Sequence, residues 1–182
     1  MSEGNRPSIR TLSTEIVHRT PYLTVRADKI ERLDGTLGIY THIDKPDFAL
    51  VIPEESEGFW LVEQFRYPAG KRSWEFPQGT FPAGESGTPV ELAIRELSEE
   101  TGISAHAMDE LGRLHCAIGL TAQRFHVFHA TGLTHGAPHR EIEEQDMRHE
   151  WFARKQVEEM VVNGTITDDS TVAAYALLML RR

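Results

Sequence analysis

The sequence predicts a single α+β domain, antiparallel strands first and helices later, and three observations carry that prediction. From Ser8 to Tyr67 apolar residues recur in short runs separated by turn signals, as strands require. Three later stretches combine helical spacing with capping residues. The 182 residues, 40% of them hydrophobic, suffice for one real core and contain no internal repeat or linker that would divide it.

Taken in order, Met1 to Arg6 is polar. Ser8 to Ile30 carries apolar residues at Ile9, Ile16, Val17, Tyr22, Leu23, Val25 and Ile30, and Pro21 interrupts them, which suits two strands better than a helix. An Asp34-Gly35 turn joins Val25–Arg32 to Leu37–Ile43 as a hairpin. Residues 1–45 thus read as a strand region of the kind that pairs with another chain, and residues 46–182 as the core of the domain. Phe48 to Pro53 is an almost continuous apolar run, so a central strand, with Phe59 to Tyr67 as its antiparallel partner. Further strands are expected over Leu111–Ala117, Arg124–Ala130 and Met147–Phe152. Helices are expected over Ala153–Asn163 and about Ser170–Arg181, the second capped by Asp168 or Asp169. Val157, Met160 and Val161, then Val172, Tyr175, Ala176 and Met179, are packing residues by spacing.

Composition narrows the function. A net charge of −9 argues against broad electrostatic binding to nucleic acid or an anionic membrane, so local basic groups must handle any anionic substrate. The single cysteine, Cys116, excludes an internal disulfide framework, fits a reducing compartment and reads as a small buried residue. The longest apolar run, Val172 to Leu180, falls far short of the roughly 20 residues of a spanning helix, and no signal peptide is visible. A cytoplasmic protein is expected.

One stretch, Gly79 to Ile103, needs a chemical reason. Thr88, Pro89 and Glu91 form a capped helix start and Gly102 a left-handed stop, so a helix is predicted from about Pro89 to Thr101. At 100° per residue Val90, Ala93, Ile94, Leu97 and Thr101 share the stripe expected to face the core, with Glu96 and Glu100 beside it and Glu99 close by. Like charges at that spacing repel by roughly 0.2–0.5 kcal/mol per pair. Glu99 and Glu100 also sit at the helix C-terminus, where the macrodipole disfavours anions. A divalent cation turns that cost into a gain; without one, the glutamates are a solvated acidic face.

The stretch resembles the signature of the Nudix hydrolases. Gly79 and Glu85 hold its first spacing, and Arg95, Glu96, Leu97, Glu99, Glu100, Gly102 and Ile103 match its second half. Nine residues separate Glu85 from Arg95, two more than the family has, so the loop before the helix is longer. The preceding Gln64-Phe65-Arg66-Tyr67-Pro68 and Trp74-Glu75-Phe76-Pro77-Gln78-Gly79 are similar to the ADP-ribose pyrophosphatase branch, with Gln78 where the branch has alanine. After the helix, Ile118 and Gln123 stand where the branch has proline and glutamate, which leaves other nucleoside diphosphate sugars open as substrates.

The resemblance implies a mixed sheet sandwiched between helices and hydrolysis of a nucleoside diphosphate sugar, ADP-ribose to AMP and ribose 5-phosphate first among them. It implies Mg²⁺, with Mn²⁺ as substitute, on Glu96, Glu99, Glu100 and the Gln78 carbonyl. Arg66 is implied as a diphosphate contact, alternatively an internal ion pair with Glu75, and Glu75 belongs to the same substrate-binding segment. Arg95 is implied to orient a glutamate. The acidic loop His135–Asp146 supplies the general base, with Glu144 favoured, then Glu143, among Glu141, Glu143, Glu144 and Asp146. The branch also implies a homodimer in which one subunit's N-terminal part helps to form the other's substrate site.

His126 and His129 do not read as a metal pair, because residues three apart on a strand point to opposite faces. Two other readings stand beside the enzyme: a Nudix-fold module that senses a nucleotide sugar without cleaving it, and an acidic scaffold.

Overall fold

The alternation between Ile9 and Asp44 folds into one antiparallel sheet. The structure, a computed structural model, describes residues 8–140 and 145–181. Strand β1 (Ile9–Arg19) pairs with β2 (Thr24–Arg32), and β2 with β3 (Leu37–Asp44). The Asp-Gly turn closes β2 onto β3: the Thr36 N–H donates to Asp34 Oδ1 at 3.0 Å, and Gly35 takes a φ of 82°. β1 is exposed along its whole length, and Ile16, Val17, Leu37 and Ile39 present apolar side chains on this sheet's surface. These strands and His115–Gln123 make one compact unit. Asp47–Leu114 and the chain from Arg124 onward make another.

The second unit is built on a mixed sheet. Its strands are β4 (Phe48–Glu55), β5 (Gly58–Arg66), β6 (Lys71–Glu75), β7 (Gln78–Gly79), β8 (Ile103–His115), β9 (Arg124–His135) and β10 (Arg148–Ala153). The order is β10-β5-β4-β9-β8, with β6 beside β5 and β7 beside β4. β4 runs antiparallel to β5 and parallel to β9, which makes the sheet mixed. Ala49, Leu50, Val51 and Ile52 are consecutive and wholly inaccessible, so β4 is covered on both faces, as its unbroken apolar run requires.

Helix α1 (Pro89–Thr101) covers one face through Leu92, Ala93 and Leu97, which cluster with Ala49, Val51, Phe128 and Ala130. Helix α2 (Arg154–Val162) packs on β5 and β10, and α3 (Asp169–Leu180) on β4 and β9. Asp168 is the α3 N-cap, its side chain accepting from the Thr171 N–H at 2.8 Å. The deepest α3 residues are Ser170, Thr171, Ala174 and Leu178, whereas Ala176, expected to pack, is exposed.

Two further expectations need correction. β8 starts at Ile103, directly after the helix, rather than at Leu111. It is the last strand in the sheet order, and its first half mixes alanines with serine, histidine and acidic residues, so no apolar run marks it. Cys116 is half-buried instead of buried.

Candidate active site

The site is laid out by α1, and its start is as the sequence reads. Thr88 Oγ1 accepts from the Glu91 N–H at 3.3 Å, and the Glu91 carboxylate accepts from the Thr88 N–H at 2.7 Å, closing a capping box around Pro89. Gly102 ends the helix at a φ of 72°, and a Cβ there would lie 2.5 Å from Gly136 O, so only glycine admits that crossing segment. His139 N–H then donates to Glu99 O and Arg140 Nε to Glu100 O, each at 3.0 Å. These donors satisfy helix-end carbonyls and place a cation at the negative end of the dipole.

The buried face of α1 takes Ala93, Leu97 and Thr101 from the expected stripe but not Val90 and Ile94. Val90 is 37% exposed and Ile94 52%, whereas Glu96 is 7% exposed and Glu100 1%. Leu92, Ala93, Glu96, Leu97, Glu100 and Thr101 face inward. Two carboxylates therefore occupy core-facing positions, an arrangement unfavourable unless cations compensate it.

A cleft of about 220 Å³ opens above them, lined in part by Arg66, Gln78, Gly79, Arg95, Glu96 and Glu99. Gly79 is what lets the acid in: a Cβ there would lie 2.4 Å from Glu96 Oε2. Arg95 Nη1 donates to Glu85 at 2.6 Å and Nε to Glu99 at 2.8 Å. The lengthened loop thus returns Glu85 to the helix, where it and then Glu99 hold the Arg95 guanidinium above its ordinary pKa.

Arg66 makes the ion pair that one of its readings expects. Its Nε donates to the two oxygens of Glu75 at 3.0 and 3.1 Å, and Nη2 also reaches Oε2. The same side chain, 40% exposed, lines the cleft. Burial acts to lower its pKa, but Glu75, Asp168 and Glu100 outweigh that and raise it. Glu75 is 1% exposed and also accepts from Gln78 Nε2 at 3.1 Å. Sequence reasoning cast Asp168 as a helix cap only; its second contact, Gln78 Nε2 at 3.2 Å, joins residues 90 positions apart and has no local signal.

Other expected residues lie apart. Glu100 is on the same helix face as Glu96 but does not line the cleft. Glu143 and Glu144, with Glu141, lie outside the described residues. Asp146 is bound by Arg72, with Nη1 donating to its carboxylate at 2.5 Å and Nη2 to its carbonyl at 2.9 Å. His126 pairs with Glu110 and His129 with Glu54, two different carboxylates. Gln123, 6% exposed, donates from Nε2 to Pro46 O at 2.6 Å, a bond that an ionised glutamate could not make.

The donor set fits a hard divalent cation. Glu96, Glu99, Gln78 and Gly79 line one cleft, and glycine at 79 makes the room that the Glu96 carboxylate fills. Among the described residues no three Asp, Glu, His or Cys side chains converge tightly enough to hold an ion alone. Backbone carbonyl and phosphate oxygens are the natural complement, as Mg²⁺ prefers.

Comparison with known proteins agrees with this fold. The NUDIX domain model matches residues 45–174, and the nucleoside diphosphate sugar hydrolase N-terminal domain model matches residues 9–43. An ADP-ribose pyrophosphatase of Mycobacterium tuberculosis is 32% identical over 168 residues, 90% of this chain and 79% of that protein. One of Bacillus subtilis is 27% identical over 75% of this chain and 74% of its own length. A methanol dehydrogenase activator of Bacillus methanolicus is 29% identical over 69% and 67%. The fold is shared with a crystal structure described as an ADP compounds hydrolase, at a TM-score of 0.84 and 19% identity, covering 97% of this chain and 95% of that one.

Proposed function

This chain belongs to the Nudix hydrolases, and from that premise we propose that it cleaves the diphosphate of ADP-ribose to AMP and ribose 5-phosphate. The observation that carries the reading is the cleft itself, where Glu96 and Glu99 of one helix share the lining with Arg66 of β5 and with Arg95 of their own helix. The pyrophosphatase relatives support the choice of sugar nucleotide.

Mg²⁺, or Mn²⁺ in its place, held by the Gln78 carbonyl, Glu96, Glu99 and Glu100, would supply neutralisation of the phosphoryl oxygens and acidify water. The chain's own residues do the rest. Arg66 binds a diphosphate oxygen with its planar fork, and Glu75 fixes the direction of that fork. Arg95 holds Glu99 toward the cleft from behind. Water adds to one phosphorus, the bridging P–O bond breaks, and a loop glutamate, Glu144 or Glu143, takes the proton from that water.

Gln123, tied to a backbone carbonyl where the branch has an acid, favours a second reading in which another nucleoside diphosphate sugar is preferred. We further propose a cytoplasmic homodimer joined through the N-terminal sheet. The exposed apolar side chains of β1 and β3 support the pairing, and among the described residues no helix is long and apolar enough to cross a membrane. A panel of ADP-ribose, GDP-mannose, UDP-glucose and dinucleotides with Mg²⁺ tests the substrate. ADP-ribose should turn over well above the others. Preference for a different sugar nucleotide would replace the substrate, and no turnover with either metal would contradict the catalytic reading.

A further inference from the structure

We propose that the side chain of Gln78 is a positioning residue that ties Glu75 to Asp168 and so fixes the Arg66 guanidinium in the cleft. The inference rests on the reading of Arg66 as a diphosphate contact. Position 78 is where the resembling branch carries alanine, so its backbone role needs no long side chain. Here the amide Nε2 lies 3.1 Å from Glu75 Oε2 and 3.2 Å from Asp168 Oδ2.

Asp168 is independently anchored. Asp168 accepts from the Thr171 N–H at 2.8 Å, and Thr171 Oγ1 accepts from the Phe76 N–H at 3.0 Å. Gln78 itself belongs to β7, paired with Leu50 of the buried strand β4. One neutral donor therefore joins two carboxylates that would otherwise repel, and it does so from a rigid strand. Glu75 has almost no exposure, so water does not replace a lost donor. Without the amide, Arg66 is the one partner left to Glu75 Oε2 among the described residues, and the pair loses its second hold. With it, the carboxylate is held from two sides and the guanidinium is set before substrate arrives.

The test is Gln78→Met, which keeps the length of the side chain and the β7 pairing but donates nothing. Affinity for a methylene-bridged ADP-ribose analogue, measured by calorimetry in Mg²⁺, should fall about tenfold, the worth of one hydrogen bond to a buried charged group. Exchange of the Arg66 Nε–H, followed by ¹⁵N NMR without ligand, should speed up several-fold, which simple loss of packing elsewhere would not produce. Gln78→Glu places a third carboxylate between two others and should weaken analogue binding more than Met does. Unchanged Nε–H exchange in Gln78→Met, or analogue binding within twofold of wild type, overturns the assignment. Wild-type protein that fails to bind the analogue overturns the substrate reading instead, and the exchange measurement then decides the role of Gln78 alone.

Discussion

The two faces of the β5–β6 ribbon each bury a glutamate, and they use it differently. Glu75 stands opposite Val62 in the register, so its neighbour Glu63 points to the other face. Glu63 accepts from Arg72 Nε at 2.6 Å and from Arg148 Nε and Nη2 at 2.8 and 3.1 Å, and Arg72 is spent further on Asp146. In that cluster two arginines share one buried carboxylate, and Arg148 also lies 5.4 Å from the centre of the Trp74 ring. Glu75 has one arginine and one amide, and its arginine looks into the cleft. The same chemistry serves as a structural clamp on one face and as an oriented cation on the other. What separates them is place: Arg66 lines the cleft, and Arg72 and Arg148 do not.

Substitutions should sort by face. The largest effect is expected where the cleft meets α1: Glu96→Gln should lower kcat on the order of 10³-fold with an unchanged melting temperature, checked by turnover and calorimetry together. Arg66→Ala comes next, raising KM for ADP-ribose about 10²-fold, because it removes a forked contact to phosphate. Glu63→Gln should do the reverse. It should cost roughly 1–2 kcal/mol of stability, a figure discounted because Arg148 is 64% and Arg72 37% exposed, with kcat within twofold of wild type in denaturant-free assays. Equal losses of turnover from Glu63→Gln and Arg66→Ala would erase the distinction between the faces.

The smallest effect concerns acid. Burial acts to raise the pKa of Glu63, but Arg148 and Arg72 outweigh it and hold the carboxyl below its ordinary 4.5. A depressed folded pKa contributes stability that is present above about 4.5 and lost as pH falls through the folded value. Urea midpoints measured from pH 6 to pH 3 should therefore fall less steeply in Glu63→Gln than in wild type.

Much of this was legible in the chain, and the gaps have causes. The limits of α1, both of its caps and the β2–β3 turn follow from local chemistry that acts within a few residues. The match of glutamates and arginine to the Nudix signature led to the right helix and to the pairing of Arg95 with an acid. The core face of that helix was read right at Ala93, Leu97 and Thr101 and wrong at Val90 and Ile94, because periodicity assumes that apolar residues are the buried ones, whereas this helix also buries Glu96 and Glu100. The Arg66–Glu75 pair was in view because its members are nine positions apart across the β5–β6 turn. The Gln78–Asp168 bond was not, since only the packing of α3 beside the sheet creates it.

The central claim is that this cleft hydrolyses a diphosphate, and mass spectrometry of ADP-ribose products formed in ¹⁸O-water with Mg²⁺ tests it most directly. The expected result is AMP and ribose 5-phosphate in equal amounts, one of them carrying a single ¹⁸O on phosphorus, and neither formed by Glu96→Gln. Intact ADP-ribose, or release of ADP with unphosphorylated ribose, would contradict it.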